Sequence, residues 1–225
     1  MDRWELVDSS PLPDGRGMLR LMRLGHEMSI DVGGQQLMGS WAHASEDALG
    51  ERSCDVVRQY AQARVLIGGL GMGFTLAASL ERLGEDASVV VAELIPAVVR
   101  WNRGVLGAVA GRPLDDPRVE VYEGDVADKL VNQATPWNAI LLDVDNGPEV
   151  CTHLGNGWLY TPQGLAACFD ALAPGGVLGV WSAWHDSTFT DVVVAAGFRV
   201  VVYRVRAQGS QGGVRHAVWM ALRPH

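Results

Sequence analysis

The chain has 225 residues, room for one ordinary domain with at most a small appendage, and its 48% hydrophobic and 20% charged residues exclude an extended disordered polypeptide. A net charge of −8 excludes an extended basic surface, so nucleic acid is not an expected partner. The three cysteines, Cys54, Cys151 and Cys168, are too widely spaced for a disulfide framework or a zinc knuckle, no apolar run reaches the ~18 residues of a membrane span, and the first residues carry no signal-peptide pattern. A cytoplasmic protein with no membrane partner and no metal is expected.

Taken in chain order, residues 1–44 read as a small β-hairpin region: Met18–Leu24 and Met28–Val32 as short strands, then Gly33-Gly34 as a turn before Gln35–Met38. Ser45 to Tyr60 reads as a helix, with Ser45 as its cap and Leu49, Val56, Val57 and Tyr60 on its apolar side. From Arg64 onward strands and helices alternate. The strands are Arg64–Ile67, Ser88–Ala92, Val119–Tyr122, Ala139–Leu142 and Val177–Trp181. The helices between and after them are Phe74–Leu83, Ala97–Leu106, Pro162–Ala173 and Phe189–Ala196. Phe198–Val205 and Val214–Leu222 close the chain as an antiparallel pair. That order predicts an α/β fold with a mostly parallel twisted sheet over residues 45–225, helices on both faces.

The most informative stretch is Gly68-Gly69-Leu70-Gly71-Met72-Gly73, which follows a buried strand and opens a helix. Without Cβ atoms the backbone turns tightly and approaches a ligand closely. Glu93 ends the second parallel strand, where a carboxylate can accept two hydrogen bonds from a ribose diol. Gly124-Asp125 ends the third, where Asp125 can accept from an adenine amino group. Asp143 ends the fourth. The expected nucleotide site therefore comprises Gly68, Gly69, Gly71, Gly73, Glu93, Gly124, Asp125 and Asp143. The tight Gly69-x-Gly71-x-Gly73 spacing departs from the wider dinucleotide fingerprint and favours an S-adenosylmethionine-type ligand over NAD.

On these residues, together with Gly147-Pro148, Leu159-Tyr160 and Ala173-Pro174-Gly175-Gly176-Val177-Leu178, the chain resembles the spermidine synthase family (polyamine aminopropyltransferases) from about Met18 to Trp181. More broadly it resembles class I S-adenosylmethionine methyltransferases. The resemblance implies a Rossmann-like methyltransferase fold, a small N-terminal β domain, a small-molecule acceptor and a homodimer. Gln36-Leu37 resembles part of the family's substrate-side motif. Three departures stand out. The family's acid within the glycine loop is missing from Leu70-Gly71-Met72-Gly73. The second Asp of its Asp-x-x-Asp-Pro motif becomes Asn146, with Asp145 one residue away. Its Tyr-His-Glu segment has no clear counterpart, although Ala42-His43-Ala44-Ser45-Glu46 stands nearby.

Asn can hold an amine but cannot take its proton at neutral pH. A cationic polyamine calls for several acids. The departures therefore lead to an expectation of methyl transfer from S-adenosylmethionine to a small molecule. Aminopropyl transfer from decarboxylated S-adenosylmethionine is the alternative, and a non-catalytic nucleotide-binding module is the second. Candidate catalytic residues are Asp143, Asn146, His153 and His185, with His43 a further base candidate. Candidate acceptor contacts are Asp145, Trp158 and Tyr160, on the loop after the fourth strand and at its end.

Overall fold

The structure, a computed structural model, describes residues 3–13, 15, 17–131, 134–144 and 156–225. The chain begins with a four-stranded antiparallel sheet, β1 (Glu5–Pro11), β2 (Met18–Leu24), β3 (Glu27–Val32) and β4 (Gln35–Gly39), in meander order. Helix α1 (Ala44–Val57) leads into β5 (Arg64–Gly68), α2 (Phe74–Leu80), β6 (Ser88–Glu93), α3 (Pro96–Arg103), β7 (Val119–Glu123) and β8 (Trp137–Leu142). After the undescribed 145–155 segment come α4 (Pro162–Ala171), β9 (Leu172–Ser182), α5 (Ser187–Ala195), β10 (Arg199–Arg206) and β11 (Arg215–Leu222).

The second sheet has seven strands in the order β10-β11-β9-β8-β5-β6-β7. Strands β5 to β9 pair in parallel, and β11 inserts antiparallel between β9 and β10. The order reverses at β5, where the chain runs outward first to β6 and β7 and then, from β8, the other way. In such sheets a crevice opens beyond the carboxyl ends of the strands at the reversal.

Both faces of this sheet are covered, which is why its strands read as near-continuous apolar runs. Alternation still decides which layer each side chain enters. Val65, Ile67, Val89, Val91, Ala139 and Leu141 pack with Leu49 and Val57 of α1 and Leu76 of α2. Leu66, Val90, Ile140 and Leu142 pack instead with Leu165 and Cys168 of α4, Phe189 and Val193 of α5, and Trp219. The N-terminal sheet joins the first of these cores through Leu19, Leu21, Met28 and Ile30.

The structure corrects several sequence expectations. A first strand, β1, precedes the expected hairpin; it pairs antiparallel with β2 through a bulge between Leu6 and Asp8 that breaks its apolar alternation. β9 begins at Leu172, inside the stretch read as the end of a helix, because Pro174 and the positive-φ Gly175 cannot extend α4. Ser45 does not cap α1: the helix starts at Ala44 after His43, with no side-chain cap, and the Ser45 hydroxyl turns into the protein. Among the described residues, no helix is long and apolar enough to cross a membrane, and no group of three or more His, Cys, Asp or Glu could hold a metal ion.

Candidate active site

Beyond the carboxyl ends of β5, β6, β7 and β8 lies a cavity of about 390 Å³, within the size range of small-molecule sites. The strand ends are held level by backbone hydrogen bonds that continue the ladder past the strands. Gly69 N donates to Ala92 O (2.8 Å), Gly124 N to Glu93 O (2.9 Å) and Asp143 N to Gly68 O (2.9 Å). Gly69, Gly71, Glu93, Gly124, Asp125 and Asp143 all line the cavity. Gly68 and Gly73 do not: Gly68 packs under Val126, and Gly73 starts α2 with φ +89° against Pro113.

Glu93 is buried, and its two oxygens accept from different backbone amides, Oε2 from Leu70 N (2.9 Å) and Oε1 from Ile95 N (2.8 Å). It therefore clamps the glycine loop to the start of α3 at the edge of the cavity, with the Gly71 and Leu94 amides also acting on it. Burial pushes its carboxyl above the usual range, against the opposing pull of these amides. Asp125 plays two parts. Its Oδ1 accepts from Ala127 N (2.9 Å) and caps the short 3-10 turn that follows β7, and the same side chain borders the cavity. Leu94, Ile95, Val98 and Val126 form an apolar wall between these two acids, suited to a planar base.

Asp143 accepts from Thr75 Oγ1 of α2 at 2.6 Å through Oδ2, and burial raises its carboxyl to about 6. A second acid, from the Ala42–Glu46 stretch but not among the expected site residues, comes from α1. Glu46 is only 6% exposed, lines the cavity, and is raised to about 7, first by burial and next by the negative charge of Asp143. A signal for it exists in the sequence. Glu46 shares a helix face with Leu49, Ser53 and Val57, all buried, at spacings of three and four residues. An acid on an apolar helix face has to meet either a partner or a ligand.

Around Glu46 the neighbours are fixed by long-range hydrogen bonds. Ser45 Oγ donates to Glu46 Oε2. Trp181 Nε1, at the end of β9, donates to Ser45 Oγ at 3.0 Å, and His216 Nδ1, on β11, lies 2.8 Å from the same oxygen. The N-terminal sheet closes the opposite side: Leu19, Ile30, Gln36, Leu37 and Met38 all face the cavity. The four acids Glu46, Glu93, Asp125 and Asp143 thus meet in one space, and no Lys or Arg is among the described residues that line it.

Other expected site residues are placed elsewhere. His185 is exposed with its ring stacked on Trp219 (5.8 Å) and does not line the cavity, because the chain turns outward after Ala183. His43 pairs with Asp47 (2.7 Å) and stacks on Phe74 (4.0 Å), outside the lining; the Asp47 hydrogen bond raises its pKa. Tyr160 is buried in the second core, edge-on to Phe189, and Trp158 is 37% exposed; neither lines the cavity. The Tyr160 ring anchors the start of α4 to the core, as aromatic side chains most often do, while Trp158 contributes its backbone carbonyl, which accepts from Thr161 N at 3.0 Å. Asp145, Asn146 and His153 lie outside the described residues.

No family model matches the chain. Over 119 residues, 52% of its length, it is 34% identical to a polyamine aminopropyltransferase from Nitrosomonas europaea; the match spans 34% of that relative. In fold, 97% of the chain superposes on 72% of a spermidine synthase from Thermotoga maritima (TM-score 0.74, 17% identity). The same shares superpose on a spermidine synthase in complex with the transition state analogue AdoDATO (TM-score 0.73, 17% identity). A probable spermidine synthase from Corynebacterium glutamicum matches over 97% of this chain and 79% of its own (TM-score 0.65, 16% identity). The resemblance to spermidine synthases thus holds in sequence and in fold. These relatives overturn the expectation of methyl transfer. The sequence relative is an aminopropyltransferase, which is the alternative reading of the motifs. The physical ground for expecting methyl transfer is a shortage of acids, and Glu46 removes it.

Proposed function

We propose that the chain is an aminopropyltransferase that uses decarboxylated S-adenosylmethionine as donor and a small cationic amine as acceptor. The observation that carries the reading is the charge of the cavity: four carboxylates and, among the described lining residues, no Lys or Arg. The decarboxylated donor bears a sulfonium and an ammonium and no carboxylate, so it complements such a wall. The carboxylate of S-adenosylmethionine itself would face only negative charge.

In this reading Glu93 and Asp125 hold the nucleoside, one at the ribose hydroxyls and one at the base, with Val98 and Val126 against the ring. Asp143 and Glu46 face the cationic groups. Transfer is a displacement at the carbon next to sulfur, a reaction that gains most of its rate from alignment and from exclusion of water. The apolar faces of Leu19, Ile30 and Met38 from the N-terminal sheet supply that exclusion.

The test is calorimetric binding of decarboxylated and intact S-adenosylmethionine side by side, followed by mass analysis of 1,4-diaminobutane incubated with the donor that binds. Tighter binding of the decarboxylated form by tenfold or more, with an aminopropyl gain on the amine, is expected. Equal affinity for the two donors, or binding of neither, would sink the reading.

A further inference from the structure

The hydrogen bonds around Ser45 impose a rule on the groups beside it. An indole N–H can only donate, and a serine hydroxyl has one proton and two lone pairs. Trp181 Nε1, at 3.0 Å, takes one lone pair of Ser45 Oγ. The hydroxyl proton then goes either to Glu46 Oε2 or to His216 Nδ1, and the remaining lone pair accepts from the other. With Glu46 ionised, Ser45 donates to Glu46, and His216 has to carry its proton on Nδ1. The carboxylate is thereby held by a hydroxyl that is itself locked by two donors from β9 and β11, 136 and 171 residues away in sequence. The Trp181 and His216 rings fix each other edge-to-face at 4.8 Å.

We propose that Glu46 is the general base of the transfer reaction, with Ser45, His216 and Trp181 as the residues that position it. The inference rests on the aminopropyl-transfer reading and names the group that makes the acceptor reactive. The acceptor nitrogen forms a bond to the methylene carbon next to the sulfonium. The carbon–sulfur bond breaks, and its electron pair stays on sulfur, which becomes a neutral thioether. Before that attack the acceptor ammonium gives one proton to Glu46 Oε1, the oxygen that Ser45 does not hold, which frees the nitrogen lone pair. The alkylated product leaves as an ammonium with the thioether, and Glu46 passes its proton to water.

Glu46 is suited to this work by its surroundings. It lines the cavity yet is 6% exposed. The groups around it are Asp143 beyond β8, Thr75 of α2, Asp47 on α1 itself, His43 just before α1, and His216 of β11. Of these, Asp143 and Asp47 raise its proton affinity. A carboxyl poised near neutrality both accepts a proton from an amine and gives it up again. Asp143, whose Oδ2 likewise accepts from a hydroxyl (Thr75, 2.6 Å), is raised only to about 6 and so is more fully ionised at neutral pH, which suits it to hold a cation in place.

The full chain is assayed with decarboxylated S-adenosylmethionine and 1,4-diaminobutane between pH 6.5 and 9.5. Glu46→Gln is expected to lower kcat at pH 7.5 by at least 100-fold while donor affinity, which also checks folding, changes less than tenfold. Ser45→Ala and His216→Gln are expected to lower kcat roughly tenfold with little change in KM. Their deficit should shrink as pH rises and more of the amine arrives unprotonated, and Ser45→Thr should restore most of the rate. Nitrogen NMR of the histidines at pH 8, which needs no turnover, is expected to find His216 protonated on Nδ1 in the wild type and to lose that preference in Ser45→Ala. A wild type that turns over, with Glu46→Gln within twofold of it at every pH, overturns the inference and leaves the transfer reading standing. An Nε2-protonated His216 at pH 8 overturns the positioning network in the same way. A wild type that neither binds the donor nor turns over overturns both.

Discussion

The backbone of Asp143 occupies the space a side chain on Gly69 would need: an ideal Cβ on Gly69 would stand 2.1 Å from the Asp143 carbonyl oxygen. Gly69 also has φ +88°, a left-handed conformation that L side chains rarely adopt. The glycine that opens the loop thus lets β8 end beside β5 and delivers Asp143 to the cavity. Gly69→Ala is expected to destabilise the protein by about 2–5 kcal/mol, combining backbone strain and overpacking. Gly71 also has a positive φ, +53°, but the only atoms in the way of an ideal Cβ are at the flexible tip of Met38, 2.8 Å away, so Gly71→Ala should cost about 1–2 kcal/mol, most of it backbone strain. Urea unfolding of the two variants side by side checks the order; a Gly71 variant as damaged as the Gly69 one would contradict it.

Glu93 joins stability to binding because both of its oxygens accept from the backbone. Glu93→Gln keeps the shape but replaces one acceptor with an N–H2 group facing an amide donor. The expected cost is about 1–3 kcal/mol of stability, the penalty for a buried amide without its acceptor. Decarboxylated S-adenosylmethionine should bind at least tenfold more weakly, since Leu70 and Ile95 shift with the loop. Calorimetry and thermal unfolding on the same sample test both parts, and unchanged affinity would remove Glu93 from the site.

Much of this architecture is legible in the sequence, for reasons that can be named. The parallel strands announce themselves because burial on two faces leaves no room for polar residues, as in Val65-Leu66-Ile67 and Val89-Val90-Val91. Glu93 and Asp143 are legible because each is the first polar residue after an apolar run, and Asp125 because Gly124 marks the end of its strand. Ser45 and Glu46 are not legible in the same way. A serine at the start of a helix reads as a cap. Here Trp181 and His216 offer its hydroxyl better partners than the helix amides do, and those partners are adjacent only once β9 and β11 have paired. Tyr160 misleads for the opposite reason: an aromatic residue near a ligand edge looks the same in sequence whether it meets a ligand or Phe189.

Buried acids that hold their protons tightly give the fold a pH dependence of definite sign. Burial raises the folded-state pKa of Glu46, Glu93 and Asp143, with the charge of Asp143 adding to Glu46. Above the unfolded values, near 4, the folded protein binds more protons than the unfolded chain, so stability falls as pH rises, until about 7 for Glu46. His43, raised by Asp47, acts in the same direction, while His216, lowered by burial, opposes it near its own range. The ligand-free protein is expected to unfold at lower temperature at pH 7.5 than at pH 5.5, and Glu46→Gln should flatten the slope. A tenfold difference in proton affinity between the folded and unfolded chain is worth about 1.4 kcal/mol, so the effect is measurable by calorimetry. A wild type more stable at pH 7.5 than at pH 5.5 would contradict the burial of these acids.

A cation entering the cavity should reverse that balance. Opposite charge within about 4–6 Å favours the ionised form of a carboxyl, so Glu46 and Asp143 should lose their protons when a cationic ligand binds. Near pH 6.5 the free protein holds a proton on part of its Glu46 population, since that carboxyl is raised to about 7. Binding of decarboxylated S-adenosylmethionine at this pH is therefore expected to release a fraction of a proton per site. The release should fade by pH 8.5, where Glu46 is already ionised, and should shrink in Glu46→Gln. The measurement is titration calorimetry repeated in buffers of different ionisation enthalpy. The slope of the observed enthalpy against that of the buffer gives the number of protons exchanged. Proton uptake at pH 6.5 would mean that the ligand's positive groups do not face these acids, and the charge argument for a cationic donor would then fail at its source.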